Sequence, residues 1–308
     1  MASAYTAYRQ FGRKYKILVR REKSGTSIDI SDLRCVFQVE KAISGDPDYS
    51  QISVTNMNVA TMDSINKGDM VILEAGYESG NYGMIFAGKV CQKVCARIGT
   101  DRTMVLVCQD GDDFLTNNFI CSTIGAGTDD SDVIKACMEN ATDVEMGNIT
   151  DDISDTQRAR GKVMFGKASE YMANVANTAN SQFYISDGKV NITAAGDYEN
   201  RVAVELNPST GLIGTPNQKE DGITCQCLLN PSLKLNSLVH VSSNLVSAQL
   251  ASKSKTPDEV SVDGIYKITK MTYTGDTRGE DWYCDFEAIV QNGLKPAALT
   301  GKAADIWR

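Results

Sequence analysis

The sequence predicts a mainly β protein of the α+β class, with two antiparallel β units separated by an α/β insert. Three observations lead there. A three-strand pattern occurs twice, the apolar period lengthens from two residues to that of a helix between the copies, and Asp187-Gly188 forms a strong hairpin signal inside the intervening stretch.

The first copy of the pattern covers residues 67–77, 83–90 and 102–110, and the second covers 233–241, 264–273 and 281–290. In each, a glycine opens the middle strand, an aromatic follows closely, and a polar turn (Gly99 to Arg102, or Gly275 to Glu280) leads into the third strand. A duplicated β unit suggests a duplicated structural role, which a lone active site would not require. Between the copies, residues 128–139 read as a helix with an acidic, capping-rich first turn and a buried stripe of Val133, Ile134, Cys137 and Met138. Residues 167–179 read as a second helix, with Ala168, Tyr171, Met172 and Val175 at the spacing of a core-facing side. Residues 182–193 alternate on both sides of Asp187-Gly188, while the polar segments 149–161 and 249–259 read as surface loops. The expected domain limits are 1–115 for the first β domain with an N-terminal arm, 116–195 for the insert, 196–293 for the second β domain, and 294–308 for a C-terminal tail.

At 308 residues, 42% hydrophobic and 23% charged, the chain has the composition of a folded protein with more than one core. No stretch approaches the ~20 apolar residues of a membrane span, and the N-terminus lacks the basic start and apolar run of a signal peptide. Synthesis in the cytosol and no stable membrane association are the expectations. A net charge of -8 argues against a general DNA-binding surface. The basic run of Arg9, Arg13, Lys14, Lys16, Arg20, Arg21 and Lys23 reads as a solvated strand or a protein contact.

The nine cysteines read as small packing groups, with Cys35, Cys108 and Cys284 in β-branched or aromatic runs and Cys137 on the apolar side of a helix. Cys91 with Cys95, and Cys225 with Cys227, lack the paired spacing of a zinc site, and His240 is the only histidine. Strand alternation puts Cys225 and Cys227 on one face roughly 7 Å apart, too far for simple disulfide geometry. The stretch from Gly125 to Asp130 lacks the ending of a phosphate loop, and Asp110 to Asp113 lacks the ligand alternation of a calcium loop. No catalytic residue, metal ligand or cofactor-binding residue is therefore assigned, and no cofactor is expected.

The order of several further features resembles phage tail baseplate hub proteins, a family also found in contractile injection systems. These features are Thr61 and Ile65 ahead of Ala75-Gly76-Tyr77, Ile85-Phe86-Ala87-Gly88, the stretch 161–166 leading into the second helix, Tyr184 to Gly188, Gly264-Ile265-Tyr266, and Thr274 to Gly279 before Trp282. The resemblance spans about residues 12–292. It implies two tube-like antiparallel β-barrels per chain and a homotrimer presenting six quasi-equivalent units. One side would meet the six-fold tail tube protein or a distal tail ring, and the other a three-fold central spike, with wedge or other baseplate proteins alongside. DNA would be a passing cargo at most, and an acidic lining would let it slide without sticking. The barrels would draw on Val71, Leu73, Ile85, Val105, Val107, Val239, Val241, Ile265 and Phe286. The chain would be made in the cytoplasm of a host or producer cell and become part of the tail baseplate.

The candidate interface or structural residues are Tyr77, Phe86, Gly88, Asp276, Arg278 and Trp282, together with Ile306 and Trp307, a large apolar pair closing a tail otherwise rich in small residues. The expected role is structural rather than enzymatic. The alternatives are a β-rich receptor- or carbohydrate-binding tail protein and, with less support, a cell-wall hydrolase.

Overall fold

The structure is a computed structural model that describes residues 10–194, 196–199, 203–219, 222–242, 247–248 and 264–290. The expected loop at 249–259 and the tail residues Ile306 and Trp307 lie outside the described residues.

The first part of the chain forms β1 (Arg13–Arg20), β2 (Ser27–Asp29), β3 (Cys35–Ala42), β4 (Tyr49–Thr55), α1 (Val59–Ser64), β5 (Met70–Tyr77), β6 (Tyr82–Ile98) and β7 (Asp101–Gln109). The insert holds α2 (Asp112–Thr116), β8 (Phe119–Ile124), α3 (Asp130–Met138), β9 (Glu145–Ile149), β10 (Lys162–Lys167), α4 (Ala168–Thr178), β11 (Ser181–Ser186) and β12 (Lys189–Ala194). The last part forms β13 (Val204–Leu206), β14 (Leu212–Gln218), β15 (Gly222–Leu228), β16 (Leu238–Val241), β17 (Ser247–Ala248), β18 (Gly264–Asp276) and β19 (Trp282–Val290). The architecture is mainly β within the α+β class, as the sequence predicts.

The duplication runs deeper than three strands. The first copy has the spatial order β3-β4-β7-β6-β5 and the second the order β14-β15-β19-β18-β16, with every neighbouring pair antiparallel. Each is a hairpin whose second strand pairs with the last strand of a three-strand meander. One rung shows the equivalence residue by residue: Val39, Ser50, Cys108 and Val90 lie across four strands of the first copy, and Gln218, Ile223, Ala288 and Ile268 across the second. Val90 exchanges backbone hydrogen bonds with Asp69 and Gly68, and Ile268 does so with Ser237 and Asn236. Gly68 and Asn236 both have positive φ, 94° and 61°, where glycine and asparagine are the residues that tolerate the left-handed region. Immediately after the rung, both middle strands carry a bulge, at Cys91 in β6 and at Thr269 in β18. A bulge bends a strand and lets it change partners, so the first middle strand does not stop near residue 90 but runs on to Ile98.

The two copies share one 14-stranded sheet among the described residues, because Lys270–Asp276 of β18 pairs with Val36–Ala42 of β3. Their inward side chains, including Phe37, Leu73, Leu106, Met271 and Phe286, belong to one buried apolar cluster. Val71, Leu73, Ile85, Val239, Val241 and Phe286 are buried as expected, but the phase of β7 differs: Met104, Leu106 and Cys108 face the core, and Val105 and Val107 are half-buried on the other face. A strand that is apolar at consecutive positions carries no internal phase signal, and pairing with β4 and β6 decides it. On β18 the core side chains are Tyr266 and Ile268, and Ile265 is half-buried.

The insert has its own core. Asp129 and Asp132 form a reciprocal capping box that starts α3, which then buries Val133, Ile134 and Cys137. α4 buries Ala168, Met172, Val175 and Ala176 against it, and Tyr171, at the stripe's edge, accepts a hydrogen bond from the Phe165 amide at 2.9 Å. The hairpin β11-β12 turns at Asp187-Gly188, both with positive φ, and β9 adds parallel to β12. Cys225 and Cys227 are both buried on one face of β15, and all nine cysteines are free thiols.

Candidate assembly surfaces

The sequence-derived site residues fall into two places. Tyr77 and Phe86 are buried in the shared core, and burial pushes the Tyr77 phenol up to about 12. Gly88 lies beside Phe86: a Cβ there would stand 2.6 Å from Phe86 Cζ and 2.6 Å from the Gln109 carbonyl oxygen, so any larger residue would force the β6-β7 pair apart. These three residues pack the interior of the first copy.

Asp276, Arg278 and Trp282 gather at the turn between β18 and β19. The Arg34 guanidinium, just ahead of β3, reaches both Asp276 carboxylate oxygens, at 2.6 and 3.3 Å, and its hydrogen bonds hold that carboxyl below its usual value despite partial burial. The backbone amide of Arg278 donates to Asp276 Oδ1 at 2.9 Å, and the exposed Arg278 guanidinium donates to the Asp32 carbonyl at 3.1 Å. Arg13, on β1, donates to the carbonyls of Asp276, Gly279 and Glu280 at 3.2, 2.6 and 2.7 Å. The same guanidinium lies 5.4 Å above the Trp282 ring, which makes edge contacts with Phe37 and Tyr15. Part of the basic N-terminal run therefore clamps a turn of the second copy onto the first.

A second junction, missed in the sequence, joins the insert to both copies. The tip of the β11-β12 hairpin inserts among Lys41, Asp48 and Asp110: Lys41 Nζ donates to Asp187 at 2.5 Å, Ser186 Oγ to Asp48 at 2.7 Å, and the Gly188 amide to Asp110 at 2.7 Å. Lys234 of the second copy stands 3.6 Å from Asp187. Burial pushes the Asp48 carboxyl up to about 7 and the Asp110 carboxyl up to about 6. Burial acts the same way on Asp187, but Lys41 and Lys234 outweigh it and hold that carboxyl low. Only the Asp187-Gly188 turn is legible in the sequence, because its partners come from distant segments.

One exposed apolar surface stands out. On the two-stranded β8-β10 ribbon, Phe119, Val163 and Phe165 are 57%, 71% and 72% exposed, and the two phenylalanine rings meet at 6.2 Å. The opposite face of the ribbon, Ile120 and Met164, is buried on the insert core. Apolar residues on both faces hide this surface from a pattern-based reading. Among the described residues no three His, Cys, Asp or Glu side chains group to hold a metal, and no helix is long and apolar enough to cross a membrane.

Residues 49–288 match the family described as baseplate hub gp41. The chain belongs to this family. The hub's fold is shared with the 43 kDa tail protein of prophage MuSo2 from Shewanella oneidensis, at a TM-score of 0.61 and 10% identity over 93% of this chain and 100% of that one. A tail protein from Neisseria meningitidis MC58 gives 0.59 at 9% identity over 94% and 99%. An Escherichia coli protein described as a component of the type VI secretion system, with structural similarity to the T4 bacteriophage tail proteins gp27 and gp5, gives 0.55 at 11% identity over 92% and 80%. No curated protein matches the sequence. Membership makes this hub a virion-associated tail component of a structural family, and the likeness to the solved structures speaks for the fold.

Proposed function

We propose that this baseplate hub works without catalysis, as a trimer whose two β units per chain make a ring of six and adapt the six-fold tail tube to a three-fold central spike around a channel. The observation that carries this reading is the five-strand duplication, with matched bulges and matched left-handed turns before β5 and β16. Two nearly equivalent units per chain are what a three-fold ring needs to present a six-fold face. The tail tube protein or distal tail ring, the spike and other baseplate proteins are the partners, and the apolar Phe119–Phe165 surface supports a protein with further subunits to contact.

The domain limits 1–115, 116–195 and 196–293 are part of the same proposal, as is docking of the 294–308 tail through Ile306 and Trp307 on the spike or a neighbouring subunit. Light scattering over a range of concentrations, followed by electron microscopy, tests the central point: the expected species is a trimer with a central hole. A monomer at every concentration, alone and mixed with the tube and spike proteins, would overturn it. Removal of residues 294–308 should weaken spike binding, and unchanged spike binding and particle assembly would discard the tail's role.

A further inference from the structure

Equivalent strands in the two copies have unequal neighbours. In the second copy, the part of β18 beyond its bulge, Lys270–Asp276, is covered on the edge away from β19 by β3, the first hairpin strand of the other copy. In the first copy, the matching part of β6, Gln92–Ile98, pairs with β7 on one edge, while β5 stops at Lys89. The other edge of 92–98 has no strand against it among the described residues, and Gln92, Val94, Cys95, Ala96 and Arg97 are exposed. The strand equivalent to β3 is β14, whose outer edge is covered among the described residues only by the two-residue β17, at Asn217 and Gln218. Among the described residues, one chain thus holds one complete copy-to-copy junction and the two unmatched halves of another. An open strand edge is a ready template for pairing with another chain.

We infer that these halves join between chains: the free edge of β6 at residues 92–98 pairs antiparallel with β14 of a second copy of this protein, repeating the β18-β3 junction and displacing β17. The register follows from the internal template. Tyr273, four residues past its bulge, faces Val39, so Cys95, four residues past its own, faces the neighbour's Gln218. Such a head-to-tail contact has different surfaces on its two sides, so repetition closes a ring when the rotation allows, and alternation with the intrachain junction gives six units from three chains. The inference rests on the proposed trimer and adds its contact strands and their register.

Cys95 is a native exposed thiol and supplies the test. Directly opposed residues of an antiparallel pair have Cα atoms about 4.5–5.5 Å apart, within disulfide range. Gln218→Cys, oxidised with copper phenanthroline at a concentration where light scattering has measured the mass, should give reducible covalent dimers and trimers that stop at three chains. The double variant Cys95→Ser with Gln218→Cys should give none above the wild-type background, and retention of native mass by both variants shows that they fold. A trimer with no Cys95-dependent crosslink overturns the edge pairing and leaves the trimer standing. A monomer at every concentration, also in the presence of tube and spike proteins, overturns both.

Discussion

The two copies of the β unit carry opposite residue chemistry at positions that their strand registers make equivalent. Arg97 faces Arg102 across the β6-β7 hairpin, and the matching pair in the β18-β19 hairpin is Gly275 and Trp282. Both arginines are exposed, whereas Trp282 is 1% exposed and Gly275 is buried. The reason lies in the neighbouring strand. β3 lays Phe37 over Gly275, so closely that a Cβ there would stand 2.3 Å from Phe37 Cζ, and the same ring meets Trp282 at 5.5 Å. A duplicated backbone thus carries opposite residue chemistry according to whether a strand among the described residues fills the adjacent place.

The largest expected effect follows from that contrast. Trp282→Ala should cost about 3–5 kcal/mol of stability, the range for emptying a buried aromatic site, while Arg102→Ala should stay within about 0.5 kcal/mol, as exposed substitutions do. Denaturant unfolding measures both, and equal effects would break the comparison. Next in size, Gly275→Ala should cost about 1–3 kcal/mol by overpacking against Phe37, and Arg97→Ala should leave the monomer's unfolding midpoint nearly unchanged.

The hairpin junction of the insert should respond to pH, with a defined sign. Asp48 and Asp110 titrate at about 7 and about 6 in the folded protein, above the ordinary 3.8. The native state therefore holds these protons more tightly than the unfolded chain, and their contribution to stability grows as pH falls from above 7 toward about 4. Asp187 is held low and loses its contribution only below its ordinary 3.8. Thermal unfolding should occur several degrees higher at pH 5.5 than at pH 8, at roughly 2–4 °C per kcal/mol for a chain of this order of size. Asp48→Asn should raise the pH 8 midpoint and narrow that gap, and a wider gap would contradict the assignment. The smallest effect belongs to the exposed ribbon: Phe165→Ser should shift stability by less than about 0.5 kcal/mol, measured by thermal unfolding, which separates this surface from the buried aromatics of the β units.

Local signals account for much of the architecture. The capping residues Asp129 and Asp132, the 3/4 spacing of Val133 and Cys137, and the Asp187-Gly188 turn act within a few residues, so α3, α4 and the β11-β12 hairpin were legible. The three-strand pattern is legible because its members come in the same chain order in both copies, although β17 intervenes between β16 and β18 in the second. The hairpins β3-β4 and β14-β15 carry no sequence sign of belonging to the duplication, since their partners β7 and β19 lie far along the chain and no short motif encodes that pairing. Of the site residues, Asp276 and Trp282 stand out in the sequence by the turn and the strand alternation. Their clamp by Arg13 and Arg34 has no such local sign, because Arg34 and Asp276 stand 242 residues apart.

The order of residues by itself determined the class of the fold, the existence of a repeat and the position of the insert, because periodicity, caps and turn residues act locally on the backbone. Tertiary structure alone decided which face of β7 is buried, where the charged hairpin tip docks, and that β18 meets β3 beyond its bulge. Those outcomes depend on pairings between distant segments, and a strand's alternation is equally compatible with either neighbour until one of them arrives.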